Sequence, residues 1–236
     1  MRPLTTQILV RPLTELDELD ACVEVQRSIW GADAEVDERA LLVVASRFAG
    51  QVLGAFDGTR MTGMALAFHM PWADRMHSHR VGVLPEYQGC GVGRSLKLAQ
   101  RATALAHGVQ TIEWTFDPLQ SRNAAFNLVH LGGIARTYLP NLYGASASPL
   151  HGALPTDRLL IEWELDGARV ASALAGRPIR PSPDAQRVAL PPRDCRSDAT
   201  HQAQLRDRLE TLLSQGYAVT NFTTEDEHDA YILEQV

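Results

Sequence analysis

The 236-residue chain is short of cysteine, of aromatic residues and of basic charge. Its three cysteines, Cys22, Cys90 and Cys195, are far apart, odd in number and form no CxxC pair. That argues against a disulfide framework or a cysteine-rich zinc site and favours a reducing, cytoplasmic setting. No metal-ligand spacing occurs elsewhere, so no metal is expected. No run approaches the roughly 20 apolar residues that span a bilayer. Met1 to Thr6 lacks the apolar stretch of a signal peptide. With a formal net charge of −6, the chain as a whole repels phosphate backbones and anionic lipid. Neither nucleic acid nor membrane is an expected partner.

What is present is the composition of a folded domain. Apolar residues make up 45% and charged residues 21%, enough to bury a core. Gln7 to Val10 reads as a strand ended by Pro12, with Thr14 as the expected cap of a helix running to about Trp30. A second helix is expected over Asp37 to Phe48. A hairpin follows, with strands at Gln51 to Phe56 and Met61 to His69 around Asp57-Gly58, closed by Pro71. His77 to Leu84 is another strand, and about Gly93 to His107 a helix stopped by Gly108. Thr111 to Phe116, Ile134 to Leu139 and Arg158 to Leu165 read as strands, and Ser121 to Leu131 as a helix. The prolines between Arg177 and Pro192 suggest an arm. Leu205, Leu209, Leu212 and Leu213 share one helical face, and Tyr217 to Phe222 and Ala230 to Leu233 are strand-like. The expected organisation is a main domain over 1–166, a Pro-rich linker over 167–192 and a small helix-plus-strands unit over 193–236. That last unit is too small to stand alone and is expected to pack on the main domain or on a partner subunit.

The informative stretch is Gln88-Gly89-Cys90-Gly91-Val92-Gly93-Arg94-Ser95, between a strand and a helix. Glycines let successive backbone N–H groups point into one concavity, and the helix end adds its own donors and dipole. Such a loop can hold a pyrophosphate without a lysine cluster. The P-loop pattern GxxxxGK[S/T] is absent. The dinucleotide fingerprint GxGxxG fails as well, because the spacing of Gly89, Gly91 and Gly93 does not fit it. The bland alternative is a flexible turn before a helix.

The run Val83-Leu84-Pro85-Glu86-Tyr87-Gln88-Gly89-Cys90-Gly91-Val92-Gly93 resembles the acyl-CoA-binding motif of the GNAT N-acetyltransferases. The resemblance covers about residues 7 to 166. It implies an α+β fold, with a mixed, mostly antiparallel central sheet splayed between strands 4 and 5, flanked by helices and here followed by a C-terminal appendage. It implies acetyl-CoA or another acyl-CoA as cofactor, its pantetheine arm paired with the backbone near Val81 and Val83. Its pyrophosphate would rest on N–H groups from Gly89 to Arg94. A narrower resemblance rests on the run from Trp114 to Ala124, on Asn141-Leu142-Tyr143-Gly144, on Leu154-Pro155-Thr156-Asp157-Arg158 and on Gln215 to Phe222. These look like a bacterial branch associated with N-acyl and N-succinyl amino acid metabolism. That implies succinyl-CoA as a further donor and a small-molecule amine, such as an amino acid, as acceptor.

Attack of an amine on a thioester requires a base, a donor facing the thioester oxygen and an acid for the departing thiolate. The family's usual acid is a tyrosine, and the alignment puts Leu128 in its place. Tyr143 or Tyr138 is the fallback, though such a tyrosine is more often a packing residue with a satisfied hydroxyl. Period two puts His77, His79, Val81 and Val83 on one strand face. His77 is one candidate base and Glu113 the other, against plain surface roles for both. Arg122 and Asn123, at a helix start, are candidates for a carboxylate, against a solvated helix end. Asp117-Pro118 reads as a turn into that helix, and Arg158 as a structural partner of Asp157. Cys90 is read as a small loop residue and not a nucleophile. Two other functions fit the same motif: a protein-lysine acyltransferase and a non-catalytic acyl-CoA sensor. The C-terminal appendage makes a homodimer a reasonable expectation.

Overall fold

The structure is a computed structural model and describes residues 7–32, 34–70, 72–144, 154–192, 195–196, 198–225 and 228–236. Pro71 and Met1 to Thr6 lie outside the described residues. The chain forms two compact units, residues 1–112 and 113–236.

The first unit runs β1 (Leu9–Pro12), α1 (Leu16–Trp30), α2 (Arg39–Val44), β2 (Gly50–Asp57), β3 (Arg60–Met70), β4 (Arg75–Val83) and α3 (Val92–Ala106). A π-helical turn over Ala45–Ala49 extends α2. The sheet order is β1-β2-β3-β4, antiparallel throughout. Helices cover both faces, so the central strands β2 and β3 are buried along most of their length. On one face Leu19, Cys22 and Val23 of α1 and Leu42 of α2 pack on Val52, Met64 and Leu66. On the other, Val92 and Leu96 of α3 pack on Leu53, Ala55 and Ala65. Thr14 does not cap α1. The capping position falls to Glu15, and the Thr14 hydroxyl bonds the Glu15 carboxylate at 3.2 Å instead.

One irregularity in β4 matters for the site. Leu66 pairs with Arg80, but Ala67 pairs with Ser78, so His79 is an extra residue in the ladder. Such a bulge reverses the alternation beyond it. Val81 and Val83 therefore join the α3 face. Ser78 joins them there, bonded to Gln100 and Lys97 of α3. His77, paired with Phe68, belongs to the opposite face. The expectation that His77, Val81 and Val83 share one face is corrected by this single inserted residue.

The second unit holds most of β5 (Thr111–Phe116), then α4 (Ser121–Ala124), β6 (Ile134–Leu139), β7 (Arg158–Glu164), α5 (Ala168–Leu174), β8 (Gln186–Ala189), α6 (Ala199–Ser214), β9 (Tyr217–Glu225) and β10 (His228–Gln235). Its strand order is β5-β7-β6-β9-β10-β8. The pairings β6–β7, β6–β9, β9–β10 and β10–β8 are antiparallel. Ile112, Trp114 and Phe116 are the buried set of β5. The Trp114 ring meets that of Trp163 edge-on, at 5.8 Å. A π-helical turn over Ala125–His130 prolongs α4 and buries Leu128 completely.

Residues 167–192 carry two elements not expected of an arm. α5 buries Val170 and Ala173. β8 buries Val188 and pairs with β10 through Val188 and Tyr231. Beyond them, β9 pairs with β6 at Val219 and Ala135, and α6 packs on β6 and β9. Among the described residues no helix is long and apolar enough to cross a membrane.

Candidate active site

In the first unit, a short helical turn, Pro85–Tyr87, carries β4 into the glycine loop. The turn is fastened to the β2–β3 hairpin. The Tyr87 ring is buried, its hydroxyl donates to Asp57 (3.2 Å), and Arg60 lies over the ring and pairs with Glu86. Gln88 folds back so that Nε2 donates to the Val83 carbonyl at 3.2 Å. This explains a long amide at the first loop position: it ties the loop to the end of its strand.

Gly89 and Gly91 have φ of +80° and +84°, in the left-handed region where a side chain is strained. Gly91 caps α3 and brings no side chain to its end. A Cβ built on Gly91 would meet nothing within 4 Å. Ser95 N–H donates to the Gly91 carbonyl at 3.0 Å and is the first rung of the helix. The donors before it, from Val92 to Arg94, point out of the helix end. An anion in front of this end would meet main-chain N–H groups and the positive end of the dipole. The residues fit the pyrophosphate of a CoA.

Two loop residues contribute differently from expectation. The Cys90 N–H is taken by the Tyr87 carbonyl (3.3 Å), and the Val92 side chain is buried in the core. Val92 thus offers its N–H alone. Val81 and Val83, half-buried, pack against the same core as Val92.

At the bulge, His79 Nε2 lies 3.4 Å from Asp37 Oδ1, and Arg80 Nε lies 2.9 Å from Asp37 Oδ2. Asp37 is buried, and its backbone exchanges two hydrogen bonds with the Gln26 side chain. His79 thus has a carboxylate neighbour, and the His77 ring lies 6.5 Å from the His79 ring. Asp37 was missed because it lies on a loop far from β4 in sequence.

Behind β4, Lys97 is almost wholly buried and its Nζ donates to Ser78 Oγ at 2.9 Å. Burial drives its pKa well below the usual lysine value.

In the second unit, Glu113 is half-buried on the β5 face that also carries Thr115. Thr115 Oγ1 lies 3.3 Å from the Tyr143 hydroxyl. Tyr143 is 57% exposed, and the Arg158 guanidinium sits over its ring at 5.3 Å. Its N–H donates to Thr156 Oγ1 (2.9 Å). Asn141 takes the left-handed conformation (φ +46°) and accepts the Thr156 N–H at 3.2 Å. The segments around 141–144 and 154–158 are thus two halves of one clasp. Tyr143 thus bonds a residue two positions from Glu113 on the same face of β5.

Tyr138 is excluded as an acid. It is buried and donates to Asp157 Oδ2 at 2.8 Å. Burial first, then the charge and hydrogen bond of Asp157, push its phenol far above the ordinary range. Asp157 itself is gripped by Arg206, and Arg158 donates to the Asp157 carbonyl (2.8 Å). Arg122 and Asn123 are exposed on α4. Asp117 Oδ1 accepts the Leu119 N–H (2.9 Å), which makes the expected turn into α4. Among the described residues no cluster of His, Cys, Asp or Glu is arranged to hold a metal.

Residues 16–132 match the family model of the Acetyltransferase (GNAT) family. The chain belongs to the GNAT acetyltransferase family. The family is one of enzymes, and its activity is acyl-CoA-dependent N-acetyl transfer. No curated protein sequence matches the chain. The fold is similar to that of the ribosomal-protein-S18-alanine N-acetyltransferase from Escherichia coli. That match has a TM-score of 0.56 at 17% identity and covers 69% of this chain and 96% of that one. It is similar to the PaiA N-acetyltransferase from Thermoplasma acidophilum in complex with coenzyme A, with a TM-score of 0.51 at 17% identity over 67% and 99% of the two chains. It is also similar to yncA from Salmonella typhimurium with acetyl-CoA, with a TM-score of 0.52 at 21% identity over 68% and 95%. At these identities the likeness is one of fold. The GNAT fold is accordingly the fold of this chain, α+β with mostly antiparallel strands.

Proposed function

We propose that this GNAT enzyme moves an acetyl or succinyl group from its CoA thioester to the amine of a small molecule, an amino acid by preference. The observation that carries the reading is Gly91: a left-handed residue opening a long helix, with open space where a side chain would stand. The narrower choice of acceptor rests on the sequence resemblance around Trp114 to Ala124, Tyr143 and Asp157.

Acyl-CoA supplies the activated acyl group. Its pyrophosphate is assigned to the N–H groups around Gly89, Gly91, Val92, Gly93 and Arg94, with Gln88, Cys90 and Ser95 shaping the loop. The backbone at Val81 and Val83 is assigned to the pantetheine arm. The bulge at His79 interrupts the β3–β4 ladder, and a main-chain donor of β4 at this break is assigned to the charge growing on the thioester oxygen.

Glu113 is the proposed base for the acceptor amine, and Tyr143 the acid for the thiolate. The support is the bond of Tyr143 to Thr115, on the strand face that carries Glu113, and the exposure of Tyr143. His77 is kept as the second base. Arg122 and Asn123 are assigned to the acceptor's carboxylate or an acidic acyl chain. Residues 1–166 are assigned the transfer chemistry, 167–192 and 193–236 a supporting role, and the enzyme is read as a cytoplasmic homodimer.

The test is a thermal-shift titration with CoA, acetyl-CoA and succinyl-CoA, followed by thiol release on a panel of free amino acids. A ligand bound only by the native state adds about 2.7 kcal/mol at a hundred times its Kd. A rise in melting temperature with all three is expected, and the donor giving the larger rise directs the panel. No rise with any of them overturns the loop assignment.

A further inference from the structure

Two arginines beyond the Pro-rich stretch each reach a buried aspartate. Arg206 of α6 grips Asp157 with both prongs of its guanidinium, Nε to Oδ2 and Nη2 to Oδ1, each at 2.9 Å. The Asp157 side chain is fully buried. Its Oδ1 also accepts the Asn141 N–H at 2.9 Å, and Gln202 of α6 donates to the Pro155 carbonyl at the same distance. These bonds fix the clasp that presents Tyr143.

Arg196 makes a second clamp. It pairs with Asp229 of β10, whose side chain is also fully buried, and donates to the Leu119 carbonyl at 3.2 Å and to the Ser121 hydroxyl. Ser121 donates to Asp229 Oδ2 at 2.6 Å, and the Tyr231 hydroxyl donates to the Pro118 carbonyl at 2.7 Å. Together they fix Pro118 to Ser121, the segment that starts α4 and delivers Arg122 and Asn123.

We infer that Arg206 and Arg196 are positioning residues, through which the chain from Cys195 onward sets the acceptor side of the reaction. The inference rests on the proposed function above. A core-building role alone does not account for the pattern. Each clamp sets a partly exposed arginine against a fully buried aspartate, yet what it holds in place is exposed: the Tyr143 side chain in one case, Arg122 and Asn123 in the other. Pairs of this kind need full hydrogen bonding to be tolerated, and they fix geometry more than they add stability. Tyr143, Asp157, Arg196, Arg206 and Asp229 all lie outside the 16–132 stretch that matches the family. Of these, Arg196, Arg206 and Asp229 also lie beyond the 1–166 stretch assigned the transfer chemistry.

The test uses the full chain with Arg206→Met, Arg206→Lys and Arg196→Met. CoA affinity is read by thermal shift, and steady-state kinetics by thiol release with acetyl-CoA and succinyl-CoA on the free amino acids. Arg206→Met is expected to lower kcat at least about tenfold while KM for acyl-CoA stays within about twofold. Arg206→Lys keeps a charge at Asp157 but loses the two-pronged grip, so partial recovery is expected. Arg196→Met is expected to raise the acceptor KM, or reorder acceptor preference, with kcat less affected. If Arg206→Met does not fold, Arg206→Lys decides. Folded variants with native kinetics overturn the inference, as does a loss shared equally by CoA affinity and acceptor turnover. A native enzyme that binds CoA but acylates none of the amino acids overturns the proposed function together with this inference.

Discussion

The Tyr143 hydroxyl lies 3.3 Å from Thr115 Oγ1, on the β5 face that also carries Glu113. Glu113, the proposed base, and Tyr143, the proposed acid, are thus related through neighbouring positions of one strand face. Tyr143→Phe removes the donor and leaves the ring under Arg158. Because the residue is more than half exposed, the stability change is expected to stay below about 1 kcal/mol. Loss of a general acid is expected to lower kcat by roughly 10²-fold or more, with CoA affinity unchanged. Unchanged kcat in the folded variant would remove Tyr143 from the mechanism.

Gly91 and Gly82 separate binding from packing. A Cβ at Gly91 would meet nothing within 4 Å, while one at Gly82 would lie 2.9 Å from Ile29 and Trp30 of α1. Gly91→Val carries the strain of a left-handed side chain, about 1–2 kcal/mol, and is expected to fold but lose the CoA-dependent thermal shift. Gly82→Val is expected to lower the melting temperature outright. A Gly91→Val protein that binds CoA normally would mean that the pyrophosphate rests elsewhere.

The glycine loop was legible because its signal is local: strand, turn, left-handed glycines and helix follow one another within a few residues. The bulge at His79 was not. His77, His79 and Val81 keep the alternation of an unbroken strand, and only the partner strand reveals the extra residue. The clamps were hidden for a different reason. Asp157 has Arg158 beside it in sequence, yet its carboxylate is held by Arg206, 49 positions away. Buried ion pairs are set by tertiary packing, and a local pattern carries no trace of them. β8 was masked by composition, since the prolines around it read as an arm while Val188 pairs within a sheet.

Acid stability should report on Asp229. Burial raises its pKa, but the bonds from Ser121, Thr224 and Arg196 outweigh that and hold it below the usual carboxylate value. A depressed folded-state pKa contributes stability above the unfolded value of about 3.9, and that contribution is lost as pH falls below it. Asp229→Asn is expected to cost on the order of 3 kcal/mol at neutral pH and to flatten melting temperature against pH in the acid range. Parallel curves for the two proteins between neutral and acid pH would show that Asp229 contributes no such term.

Lys97 predicts a dependence of the same sign, from a group that costs stability when charged. In the folded protein burial disfavours its charged form, whereas the unfolded chain carries the proton up to about pH 10.4. The unfolded state then binds more protons over that range, so stability rises as pH rises. Lys97→Met has a similar shape and no charge to desolvate. It loses the bond to Ser78, but that hydroxyl keeps its own bond to Gln100 at 3.0 Å. The variant is expected to be more stable than the native protein at neutral pH by on the order of 1–2 kcal/mol, which is about 2–8 °C for a chain of this size. The advantage should shrink as pH approaches 10, because the native lysine then gives up its proton in the unfolded state as well. A variant less stable than native at every pH would show that the Ser78 bond outweighs the burial of the amine.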